Sequence, residues 1–247
     1  MGPEVLWESV RGQLLFLGVA ILGSSLLPGR TLALRIGLAP GRLDAVRVLA
    51  LVLGFLALSN ATHGAVVWLG LLEGTTLAEI DRVAGEQGPA HPLLIWLAFA
   101  LAPALGEELM FRGFLQRLLA LRWSGAVAVL GSAAVFGAAH LDVVHGAAAG
   151  MLGAYLGAVA QRSGSLRPTL LCHVANNSLA VAGSSGLLPE VGTTGAPLQI
   201  TLGLGLAALC LALGLRPGRL QPAAPSADGG EIPWGENEDD SFGPDRR

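Results

Sequence analysis

Seven apolar runs, several near the thickness of a bilayer's hydrocarbon core, divide this 247-residue chain. They fall near 12–27, 45–72, 92–110, 124–139, 143–160, 168–187 and 198–215. A helix needs about 20 residues to cross that core, and lipid offers no partner to an unpaired backbone N–H or C=O. The runs therefore predict an all-α, polytopic transmembrane bundle of about seven spans. Composition agrees. Only 13% of residues are charged, against about 25% in soluble domains. The second run is long enough for a span plus an interfacial turn. Glu4 and Glu8 precede the first run, and no small-x-small cleavage pattern follows it, so it reads as a span rather than a signal peptide.

Three regions are expected: N-terminal helices with an outside acidic loop over 1–90, a core over 91–216, and a tail over 217–247. The tail is rich in Pro, Gly and acids, with Glu236, Glu238, Asp239 and Asp240 clustered. Such a segment cannot bury a core and is expected to be disordered. Cys172 and Cys210 both sit in apolar stretches, which implies neither a disulfide framework nor a Cys-based metal site. No nucleic-acid signature is present.

Arginine placement orients the bundle. All 15 basic residues are Arg, which with the Ala, Gly and Leu content suggests a bacterial source. They collect in alternate linkers: Arg30, Arg35, Arg42 and Arg47; then Arg112, Arg117 and Arg122; then Arg162 and Arg167; then Arg216 and Arg219. The intervening linkers carry little positive charge. The positive-inside rule then places the N-terminus outside and the C-terminus in the cytoplasm. The expected location is the inner (plasma) membrane, multi-pass.

Against this apolar background, Glu107, Glu108 and Arg112 stand out. Ionisable groups at membrane depth are costly, rare and usually functional. Residues four apart share a helical face, so Glu108 and Arg112 are expected to pair as structural support. Glu107 points about 100° away and is free to serve as a general base. Pro103, four residues before Glu107, loosens the backbone there. His140 closes the fourth run, one turn after Phe136. His173 and Asn177 share a face inside the sixth. Glu with His can activate water, and His with Asn can donate to a developing oxyanion. His145 is the reserve histidine; Asn176 is expected to pack, His63 to make an interhelical contact, and His91 to be solvated.

Glu107-Glu108-Leu109-Met110-Phe111-Arg112 resembles the Glu-Glu-x-x-x-Arg motif of the CPBP intramembrane proteases, the type II CAAX prenyl endopeptidase, bacteriocin-processing and Abi proteins. Phe136-x-x-x-His140 and His173-x-x-x-Asn177 are similar to the family's second and third motifs. The resemblance covers roughly 96–182. It implies that Glu107 and His140 activate the attacking water, that His173 and Asn177 stabilise the oxyanion, and that Glu108 and Arg112 support the site. It also raises a zinc alternative, in which Glu107, His140 and His173 would form an open three-ligand site, beside a metal-free, glutamate-dependent one. No His-Glu-x-x-His motif is present.

The expected function is an intramembrane endopeptidase acting on membrane-associated peptides or proteins. A non-enzymatic immunity or chaperone protein on the same fold is the alternative. A proton-coupled transporter is disfavoured, because no inverted repeat is visible. One tension remains: the runs put Glu107–Arg112 near the cytoplasmic end of one span and His140 near the outer end of another, whereas a working site needs them together.

Overall fold

The computed structural model describes residues 2–29, 31–87, 90–187 and 195–216, and among them the chain is helical without strands. Nine helices organise the described residues: α1 (Gly2–Gly23), α2 (Leu32–Arg35), α3 (Ala45–Trp68), α4 (Thr76–Gln87), α5 (Pro92–Ala120), α6 (Gly125–Ala138), α7 (Val143–Ser163), α8 (Arg167–Ser184) and α9 (Ala196–Gly214). The acidic tail over 217–247 and the Glu190 loop lie outside the described residues.

Local chemistry sets the boundaries. Asp44, Ser124 and Asp142 cap α3, α6 and α7, accepting the backbone N–H of Arg47, Val127 and His145. Each cap satisfies a donor that the first helical turn leaves without a partner. Gly164, at φ 68°, terminates α7 in the left-handed region that glycine enters without penalty. Leu141 takes the same region at φ 55°, which ends α6 and keeps it from running on into α7.

Five helical stretches are long and apolar enough to cross a membrane: Trp7–Leu26, Ala45–Trp68, Pro92–Ala120, Val143–Ser163 and Ala196–Gly214. The expected seven spans thus meet five among the described residues. The fourth run forms an apolar helix of only 14 residues, α6. The sixth forms α8, whose His173, Asn176, Asn177 and Ser178 make it too polar to qualify. Polarity at these positions is what a helix turned towards a polar interior requires, so a hydropathy count undervalues it.

The third run extends furthest beyond expectation. The helix continues past Met110 to Ala120, which places Glu107 and Glu108 near its middle rather than its end. Arg112 and Arg117, expected in a cytoplasmic linker, lie inside this helix at 1% and 5% exposure. They therefore cannot count as loop cations. Arg117 instead donates to the carbonyls of Leu34 and Arg35 at 2.7 and 3.1 Å.

Small residues let the helices approach. In lipid, helix association depends on close packing and interhelical hydrogen bonds more than on apolar burial. A Cβ at Gly54 of α3 would meet Cys210 Cβ and the Tyr155 hydroxyl at 2.6 Å. On the α6–α7 hairpin, one at Gly137 would meet Gly150 Cα at 3.2 Å. Leu51, Phe55, Tyr155, Leu156, Val159 and Cys172 form a core joining α3, α7 and α8. Against α5, Ala20 of α1 packs with Leu109 and Phe114.

Candidate active site

The middle of α5 is wound wider than an α-helix. Leu97–Leu101 and Glu108–Leu115 are π-helical, with Ala102 N–H reaching Leu97 O and Gln116 N–H reaching Phe111 O. The first wide turn lies just before Pro103, which has no N–H to donate. Such turns are rare and concentrate at functional positions. The second carries Glu108 and Arg112.

Glu108 and Arg112 pair as their spacing predicts, with Arg112 Nη1 2.7 Å from Glu108 Oε1. Both are buried, at 0% and 1% exposure. The guanidinium also donates through Nη2 to Gly153 O at 3.1 Å and lies 4.4 Å above the Phe136 ring. Gly153 has to be small here, since a Cβ would stand 2.8 Å from Phe136 Cδ1 and 2.9 Å from Arg112 Nη2. Three contacts from three directions fix Arg112, and Arg112 in turn fixes Glu108.

His173 of α8 joins both acids. Its Nδ1 lies 3.0 Å from Glu108 Oε1, and its Nε2 is 3.7 Å from Glu107 Oε2. A carboxylate only accepts, so Nδ1 carries the proton and Nε2 is the nitrogen facing Glu107. Glu107 is 8% exposed and receives its hydrogen bond from Gln13 Nε2 of α1 at 3.1 Å. The two adjacent acids are therefore in different electrostatic company. Glu108 meets a guanidinium, whereas Glu107 meets an amide and an imidazole.

His140 stands further off. Its Nδ1 donates to Phe136 O at 2.9 Å, leaving Nε2 unengaged in that contact. Its ring packs edge-on to Phe136 at 4.9 Å and against His145 at 4.2 Å. Phe136 also meets His173 edge-on at 6.5 Å, so one aromatic ring touches both imidazoles. Glu107, Glu108 and His173 come together, while His140 approaches them through Phe136. His145 Nδ1 pairs with Thr76 Oγ1 at 2.7 Å, and Asp142 accepts the Thr76 N–H at 2.8 Å. This ties the start of α4 to the His140 turn.

Asn176, expected only to pack, donates from Nδ2 to Asn177 Oδ1 at 3.1 Å. That bond occupies the Asn177 carbonyl and leaves its NH₂ group as the donor end. His63 and His91 are exposed. Sequence reasoning also missed Gln13, which lies in the first run, 94 residues from Glu107. A lone amide in a membrane helix was the available signal.

The residues do not fit the zinc alternative as they stand. Among the described residues, no group of three His, Cys, Asp or Glu side chains is close enough to hold a metal ion. The expected ligands Glu107, His140 and His173 are not gathered into one set.

Residues 89–179 match the Rce1-like family, described as type II CAAX prenyl endopeptidase Rce1-like. The match contains every motif on which the resemblance to CPBP intramembrane proteases was drawn, and bears that resemblance out. No curated protein and no solved structure gives a significant match.

Proposed function

We propose that this chain, a multi-pass membrane protein with an Rce1-like segment, is an intramembrane endopeptidase in which Glu107 activates water. The observation that carries this reading is the unequal company of the two acids. Glu108 is neutralised by Arg112, whereas Glu107 is buried beside His173 with no cation hydrogen-bonded to it. Only the second arrangement leaves a carboxylate able to take and return a proton.

The steps follow from that geometry. Glu107 removes a proton from water, and the oxygen so activated attacks the carbonyl carbon of the scissile bond. The carbonyl π pair moves onto oxygen. In this reading His173, held through Nδ1 by Glu108, and the Asn177 amide stabilise that oxyanion. Collapse breaks the C–N bond, and the proton held by Glu107 passes to the departing amine. His140 helps to orient the water from the Phe136 side. Glu108, Arg112 and Phe136 keep the imidazole of His173 in place. Zinc, were it bound, would polarise the carbonyl and the water; no step here requires it.

Substrates in this reading are membrane-held peptides or proteins. The test is quantitative proteomics of peptides released by cells carrying the wild type or Glu107→Gln. Peptides released only by the wild type support the reading. Identical peptide sets, with both proteins inserted and folded, overturn it. Cleavage by the purified protein is expected to survive chelation, with metal analysis confirming that no zinc remains.

A further inference from the structure

The matched stretch begins at residue 89, yet the acid proposed as base is held by a side chain far upstream. Gln13 Nε2 donates to Glu107 Oε1 at 3.1 Å. Helix α1 reaches that distance because Gly106 offers no side chain. A Cβ there would sit 3.1 Å from the Gln13 carbonyl oxygen and 3.2 Å from its Cα. Two further contacts fix the register of α1 along α5. Ser9 Oγ donates to Ala98 O at 3.0 Å, and Phe16 meets Phe111 edge-on at 5.3 Å. Residues 9, 13, 16 and 20 recur at helical spacing, so a single face of α1 docks on the acid-bearing helix.

Packing alone gives no reason for an amide at this position. Gln13 Oε1 is buried with no hydrogen-bond partner, which is a cost that an apolar residue of the same shape would avoid. The amide instead supplies a donor to Glu107 without the full positive charge that ties Glu108 to Arg112. A carboxylate free to rotate would spend little time in the geometry for attack, and small misplacements lower rates steeply.

We infer that Gln13 is a positioning residue for Glu107, so that α1, outside the matched stretch, completes the active centre. The inference rests on the reading of Glu107 as the base. Gln13→Met keeps the length and removes the donor. The first measurement is infrared spectroscopy at fixed pH on the purified full-length protein in nanodiscs. The Glu107 carboxyl bands are assigned as those lost in Glu107→Gln. Gln13→Met is expected to move these bands, and Gln13→Asn, whose donor is set back by one carbon, to move them likewise. Unchanged bands in a folded Gln13 variant overturn the inference. The second measurement uses a peptide that the wild type is seen to release: kcat falls about tenfold in Gln13→Met with KM nearly unchanged. An unchanged kcat overturns it too. The spectroscopic readout needs no substrate, so failure of the wild type to cleave anything would fall on the proposed function and not on the Gln13–Glu107 contact.

Discussion

His173 Nδ1 and Arg112 Nη1 converge on one oxygen, Oε1 of Glu108, from 3.0 and 2.7 Å. The oxygen belongs to a side chain with no solvent exposure. Glu108 is thus the joint between α5 and α8, and its removal strands a buried guanidinium. Glu108→Ala is expected to destabilise the protein by about 3–5 kcal/mol, because an uncompensated buried charge costs more than the pair contributes. Unfolding in detergent, followed by helix content, measures this. A loss within experimental error would mean that Arg112 finds another partner.

Glu107→Gln is expected to behave in the opposite way. Gln13 can still donate to the new amide carbonyl, so the helix contact survives and stability changes by less than about 1 kcal/mol. Cleavage falls by a factor of about 10²–10⁴, the usual contribution of a general base. Parallel unfolding and peptide-release assays on one preparation separate the two effects.

At Gly153, the crowding of Phe136 and Arg112 predicts a steric penalty. Gly153→Ala is expected to cost about 1–3 kcal/mol, the range for overpacking a fixed core. Because the displaced groups are those that hold Glu108, activity should fall with stability. Gly183→Ala is the control, since a Cβ there meets nothing within 4 Å. Equal melting temperatures for the two variants would contradict the prediction.

Asp142 links stability to pH. The His145 N–H, followed by the Thr76 N–H, holds its carboxyl below the ordinary carboxylate value. A depressed folded-state value contributes stability above the unfolded value, near pH 4, and loses it as pH falls through the folded one. Acidification below about pH 4 is therefore expected to loosen the α4–α7 junction, as read by hydrogen exchange at Thr76 and His145. Asp142→Ala should show that loosening at neutral pH and remove its pH dependence. Wild-type exchange that stays flat across this range would refute the linkage.

The sequence alone determined that the chain is helical and membrane-spanning, because hydrocarbon enforces closed backbone hydrogen bonding on runs of that length. It also determined the Glu108–Arg112 pair, since a separation of four residues fixes one helical face even where the turns widen to π. The motif residues were legible for the same reason: polar groups are costly in apolar runs, so each one stands out. Helix ends were less so. Apolarity stopped at Met110, whereas α5 continues to Ala120 because Arg112, Gln116 and Arg117 find carbonyl partners on other helices. No reading along the chain contains those partners. Tertiary structure alone decided that His173 bridges the two acids, that His140 meets Phe136 and His145 rather than Glu107, and that Gln13 reaches Glu107 across 94 residues. These are distances between helices, set by where small residues such as Gly106 and Gly153 let backbones approach, and helical periodicity within a segment carries no information about them.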